Sequence, residues 1–129
     1  MTTLRSRTLV PLLLAAALGL AGFRGLLRLE VAGTSMLPAL QPGDRVLVAR
    51  TRRLRTGQIA AVRDPRNPSR VVVKRVAGPA PGGWRVLGDN PDRSTDSRVF
   101  GVVGRDLVVG RVVYRYHPPE HAGSLLRRR

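Results

Sequence analysis

The chain has no cysteine, which excludes disulfides and thiolate metal sites and leaves the compartment open on that ground. Its two histidines, His117 and His121, both fall near the C-terminus. A histidine-based triad or a multi-histidine metal centre therefore has little material, and no metal is expected. Only five residues are Phe, Tyr or Trp, too few for a base-stacking platform. A net charge of +15 suggests nucleic acid or an anionic membrane. The arginines are spread along the chain, with no helix-turn-helix or zinc-finger spacing, so no specific nucleic-acid partner is expected. The densest basic cluster, Arg50, Arg52, Arg53 and Arg55, reads as a solvated turn, and contact with phospholipid head groups is the next reading. Arg127 to Arg129 read as a basic tail.

Lysine is nearly absent as well: Lys74 stands alone beside 22 arginines. Where a surface charge alone is needed, this chain uses arginine. A guanidinium stays protonated in proteins, whereas a buried ammonium can lose its proton, so the one retained lysine is either a chance survivor or a candidate for a role arginine cannot fill.

One stretch, residues 8–23 (TLVPLLLAAALGLAGF), carries no charge; Arg5 and Arg7 precede it and Arg24 follows. Sixteen helical residues rise about 24 Å, a little short of a hydrocarbon core of about 30 Å. Gly25 to Leu27 would add apolar length while Arg24 and Arg28 snorkel. The leading reading of residues 1–28 is a basic start and a single-pass anchor in the cell membrane, ahead of a cleaved signal peptide or a peripheral helix. Arginines on the C-terminal side favour a cytoplasmic body, but the side is left open.

Beyond residue 28 the pattern turns strand-like. LRLEVAG, RVLVAR, IAAVRD, RVVVKRV, WRVLGD and DLVVGRVVYRY are short β-branched runs bounded by Gly, Pro, Asn or Asp. They predict an all-β, compact antiparallel domain over 29–116, followed by a loose tail over 117–129.

Three segments carry reactive side chains. Ser35 follows a strand and precedes a bend in GTSMLPAL, which can expose its hydroxyl at a sheet edge. In VVVKRV, alternation puts Lys74 on one face with Val72 and Val76. If that face is inward, the ammonium is desolvated and can accept a proton from a hydroxyl. The third segment, GDNPDRSTDSRVFG from Gly88 to Gly101, is a loop in which Asp96 and Arg98 can pair and Ser94 can hold an amine. Each segment alone is ordinary: a turn, a strand-edge lysine, an Asx-rich hairpin.

Taken in order, the three resemble the boxes of the signal peptidase I family of Ser/Lys proteases. SMLPAL is similar to its Ser-Met-x-Pro-x-Leu box, VVVKRVAG to its Lys-Arg box, and GDNPDRSTDSRVFG to its third, with VVGRDLVVGRV continuing the likeness over residues 30–116. The resemblance implies Ser35 as nucleophile, Lys74 as general base and Ser94 as the hydroxyl orienting the lysine. The Ser35 N–H would contribute to an oxyanion hole; some members place a serine hydroxyl where this chain has Gly33. Met36, Pro38, Gly88, Asp89, Asn90, Asp96, Ser97 and Arg98 would be structural residues near the site. The implied protein is a cofactor-free endopeptidase, monomeric and membrane-bound, that removes N-terminal signal or leader peptides from precursor proteins.

Only residues 75–87 separate Lys74 from Gly88, where larger signal peptidases carry a second domain. This short form also resembles the maturation proteases of nickel-type superoxide dismutase, most clearly in KRVAGPAPGGWRVLGDNP. A reading from another class is a non-catalytic basic module for membranes or nucleic acid.

Overall fold

A computed structural model describes residues 25–126. The apolar run of residues 8–23 lies outside these. Among the described residues no helix is long and apolar enough to cross a membrane. Gly25 to Leu27 do not extend an apolar helix, because Leu26–Glu30 form strand β1 and the sheet begins ahead of residue 29. Alternation explains this: Leu27 and Leu29 pack on the core while Arg28 and Glu30 face water.

The other strands are β2 (Arg45–Arg50), β3 (Ile59–Asp64), β4 (Asn67–Ala80), β5 (Gly83–Leu87), β6 (Val103–Gly104), β7 (Val108–His117) and β8 (Gly123–Ser124). All pairings are antiparallel, in the order β1-β2-β7-β3-β4-β5-β6, with β8 added beside β7. The α-helix among the described residues is a single turn, α1 (Ser97–Phe100). The all-β antiparallel architecture is thus the observed one.

The sheet coils around two apolar clusters. Val46 and Val48 of β2 join Met36, Leu40 and Val112 in the first, and Val76, Val86 and Val103 belong to the second. β3 serves both: Ile59 and Ala61 point to one, Ala60 and Val62 to the other, and all four are buried. Small alanines suit a strand covered on both faces. β4 divides likewise, with Val71 and Val73 on the first cluster and Val72 and Val76 on the second. Register shifts at Val76/Gly78 in the β4–β5 pairing and at Leu47/Val48 in the β2–β7 pairing bend the long strands around these clusters.

Part of the tail is ordered. Pro119–His121 form a 3₁₀ turn, β8 pairs with Tyr114 and Arg115 of β7, and the Leu125 N–H donates to the Val113 carbonyl at 2.9 Å. His117 is the last residue of β7.

Candidate active site

Lys74 lies mid-β4, opposite Ala60 of β3, whose small side chain leaves room for it. Only 4 % of its surface is exposed. Burial holds the ammonium below the ordinary lysine value; Asp96 opposes that shift, and Arg70 and Arg98 reinforce it. Its Nζ donates to Ser94 Oγ at 3.2 Å.

Ser94 Oγ in turn donates to Asp96 Oδ2 at 2.6 Å. Asp96 is fully buried. It caps α1 by accepting from the Arg98 N–H, and it also accepts from the Gly88 N–H at 2.9 Å and from the Arg98 guanidinium at 2.9 and 2.7 Å. Burial alone would raise its pKa, but these donors outweigh it and hold the carboxyl well below the usual range. Asp96 is therefore an anion, and it fixes the Ser94 hydroxyl proton on itself. That leaves the oxygen of Ser94 free to accept from Lys74. Ser97 Oγ accepts from the Val86 N–H at 2.8 Å, tying α1 to β5.

Ser35 sits in the loop between β1 and β2, half-buried. Met36 and Leu40 are buried in the first cluster and fasten the loop from below. Pro38, after a cis Leu37–Pro38 bond, is exposed. Gly33 has φ +77°, a left-handed backbone that favours glycine over the serine some family members carry there. Asn90 holds the loop from the other side: its N–H donates to the Ser35 carbonyl at 2.8 Å and its Nδ2 to the Thr34 carbonyl at 3.0 Å. Gly88 lies between them, and a Cβ there would collide with Ser94 Oγ and the Ser35 carbonyl. Ser35 and Lys74 both line one cleft of about 200 Å³, with Val31, Val71 and Val73 among its apolar walls and Arg70 and Arg93 among its polar ones.

Three contacts that position this site were not read from the sequence. Arg75 grips both Asp89 oxygens at 3.1 and 2.6 Å and donates to the Gly57 carbonyl at 3.0 Å. Asp44, 4 % exposed, accepts from the Gln41 N–H at 2.9 Å. Arg115 donates to Asp44 and to the Ala39 carbonyl, both at 3.0 Å, pinning the Ser35 loop to β7. Asp44 and Arg115 are 71 positions apart, and no local spacing links them. The signal available was the charge of Asp44 in a Pro-Gly-Asp turn.

The family model described as Peptidase S24-like matches residues 22–113. The chain is 36 % identical to the mitochondrial ATP-independent inner membrane protease subunit 1a of Arabidopsis thaliana, over 74 % of this chain and 73 % of that protein. It is 31 % identical to the mitochondrial inner membrane protease subunit 2 of Schizosaccharomyces pombe, over 74 % of this chain and 67 % of that protein. A shorter segment, 29 % of this chain and 19 % of the relative, is 49 % identical to signal peptidase IB of Staphylococcus aureus.

Proposed function

Since the chain belongs to the S24-like peptidase family and groups with signal peptidase I-type enzymes, we propose that it is a serine endopeptidase with a Ser35/Lys74 dyad. Its substrates are precursor proteins carrying an N-terminal signal or leader peptide, met at a membrane. The observation that carries this reading is the chain's one lysine, buried, with its pKa lowered, lining the same cleft as Ser35.

Neutral Lys74 Nζ takes the Ser35 hydroxyl proton as Oγ forms a bond to the scissile carbonyl carbon. The oxyanion is stabilised by the Ser35 N–H and by a second donor, which Gly33 cannot supply from a side chain. As the C–N bond breaks, Lys74 returns its proton to the leaving amine. Water then attacks the ester, with Lys74 again as base. Ser94 orients the amine and Asp96 orients Ser94. The chemistry calls for no metal or organic cofactor.

The test is cleavage of a leader-bearing precursor, followed by mass spectrometry. Ser35→Ala and Lys74→Arg each lower the rate by at least about a thousandfold, the scale on which serine-protease dyads fail. Thermal melting checks that both variants fold. A wild-type rate in Lys74→Arg overturns the dyad. A non-catalytic basic module instead shows salt-sensitive DNA or lipid binding untouched by either change.

A second reading is maturation of nickel-type superoxide dismutase by removal of its N-terminal extension. It is favoured by the direct β4–β5 hairpin, Asn67–Ala80 to Gly83–Leu87, with no inserted domain. Offering both precursor types separates the two readings by which one is cut.

A further inference from the structure

The dyad leaves the chain's densest cationic cluster unused. Arg50, Arg52, Arg53 and Arg55 are all exposed, on the segment leaving β2. The segment is held in shape from within: Leu54 is buried in the second cluster, the Arg53 N–H donates to Thr51 Oγ1 at 3.0 Å, and the Arg55 N–H donates to Gln58 Oε1 at 2.8 Å. Two hollows flank it and share Arg50 and Thr51. One, of about 460 Å³, is also lined by Arg52 and Arg63. The other, of about 360 Å³, is also lined by Arg53, Arg55 and Arg111. Arg111 Nε is buried and without a hydrogen-bond partner among the described residues.

Little negative charge answers this face. Residues 1–24 and 127–129 contain no Asp or Glu, so every acidic side chain lies among the described residues. Five of the eight are engaged with other arginines: Glu30, Asp64, Asp89, Asp96 and Asp44 with Arg45, Arg66, Arg75, Arg98 and Arg115. Asp106 alone of the remainder lines a hollow.

Position identifies the occupant. The Arg50 N–H donates to the Gly25 carbonyl at 2.7 Å. Gly25 is two residues past Phe23, the last residue of the uncharged run 8–23. Two residues reach at most about 7 Å, so the cationic face meets the chain where that apolar run arrives. Apolar Leu27, Val108 and Val109 complete the first hollow. A cationic surface at the root of an apolar segment matches the phosphate layer of an anionic bilayer, where each arginine near the surface adds attraction. Nucleic acid offers phosphate too, but it leaves the adjoining apolar run without a partner.

We infer that the Arg50–Arg55 face is a docking surface for the phosphate head groups of an anionic membrane, holding the β domain against the bilayer beside the entry of residues 8–23. The inference is independent of the dyad and does not use the cleft.

The full chain is mixed with vesicles of phosphatidylcholine alone or with about one-third phosphatidylglycerol, and amide hydrogen exchange is followed over residues 50–58. Exchange slows at least about fivefold with the anionic lipid, the factor expected from a single arginine near the surface. In about 1 M salt, where charges are screened beyond about 3 Å, the slowing disappears. It is also absent when Arg50→Gln, Arg52→Gln, Arg53→Gln and Arg55→Gln are combined. Equal exchange on both vesicles overturns the inference, as does protection that survives in the fourfold variant. Equal protection by duplex DNA or by inorganic phosphate, with phosphatidylcholine vesicles alone, overturns it in favour of a soluble anion.

Discussion

Asp96 and Asp44 are both buried, and each meets a guanidinium, at 2.7 and 3.0 Å. Around Asp96 the donors converge on side-chain chemistry: the Ser94 hydroxyl, the Gly88 N–H and Arg98, with Lys74 one hydrogen bond further on. Around Asp44 they are structural: the Gln41 N–H and Arg115, which also takes the Ala39 carbonyl. One carboxylate sets the direction of a hydroxyl that faces the proposed base. The other fixes the backbone of the loop that carries the proposed nucleophile. Similar ion pairs thus act on the two halves of the proposed dyad by different routes, through a hydroxyl in one case and through a main chain in the other.

The comparison breaks most visibly at Asp96. Asp96→Ala strands the Gly88 N–H and frees Ser94, costing about 2–3 kcal/mol of stability, since water screens the Arg98 side of the contact. Denaturant melts measure this. Because the folded pKa of Asp96 is depressed, its contribution is full above about pH 4. It is lost as pH falls through the folded value, so the two melts converge in acid. Gly88→Ala acts on both routes at once, pushing Ser94 and the Ser35 carbonyl apart. Cleavage should fall about a hundredfold, the effect of misplacing reacting groups by about 1 Å. Asp44→Ala should cost about 1–2 kcal/mol. Once corrected for the folded fraction, its cleavage rate at saturating substrate should stay within about threefold of wild type, because the chemistry at Lys74 is untouched. A larger loss would place Asp44 in the same category as Asp96.

The smallest effect is on pH dependence. As the proposed base, Lys74 would act only when neutral, so kcat/KM should rise with pH through its lowered pKa. Arg70 helps to lower that value, and Arg70→Gln should move the acid limb to higher pH. Stability carries the same sign. The unfolded chain binds the lysine proton up to about pH 10.4, the folded chain only to a lower pH, so stability rises with pH between the two. Lys74→Met should remove that slope, which equilibrium unfolding at several pH values reads directly.

Much of the fold was legible. Alternation in RVLVAR and LRLEV marks half-buried strands, and β2 and β1 lie there. The continuous burial of IAAV in β3 was not legible as a strand shared by two clusters, because a short apolar run does not say what covers each face. The pairing of Gly123–Ser124 was not legible for a related reason: nothing local in HPPEHAGS announces pairing with β7, and the partner is supplied by the sheet. At the site, Asp96 with Arg98 was legible because the two lie on one turn. Asp44 with Arg115 was not, because the sheet alone brings them together.

The sequence by itself determined the reactive inventory. It holds one lysine whose proton can be removed, a serine in a bend ahead of it, and a loop rich in groups that bond to backbone. Residue identity and alternation are local properties, and they survive in a linear string. Only the tertiary structure decided that Lys74 is desolvated, that its Nζ donates to Ser94 Oγ, and that Gly88 is packed against both Ser94 and the Ser35 carbonyl. Burial and approach depend on what packs from distant strands, and a chain acquires those neighbours only by folding.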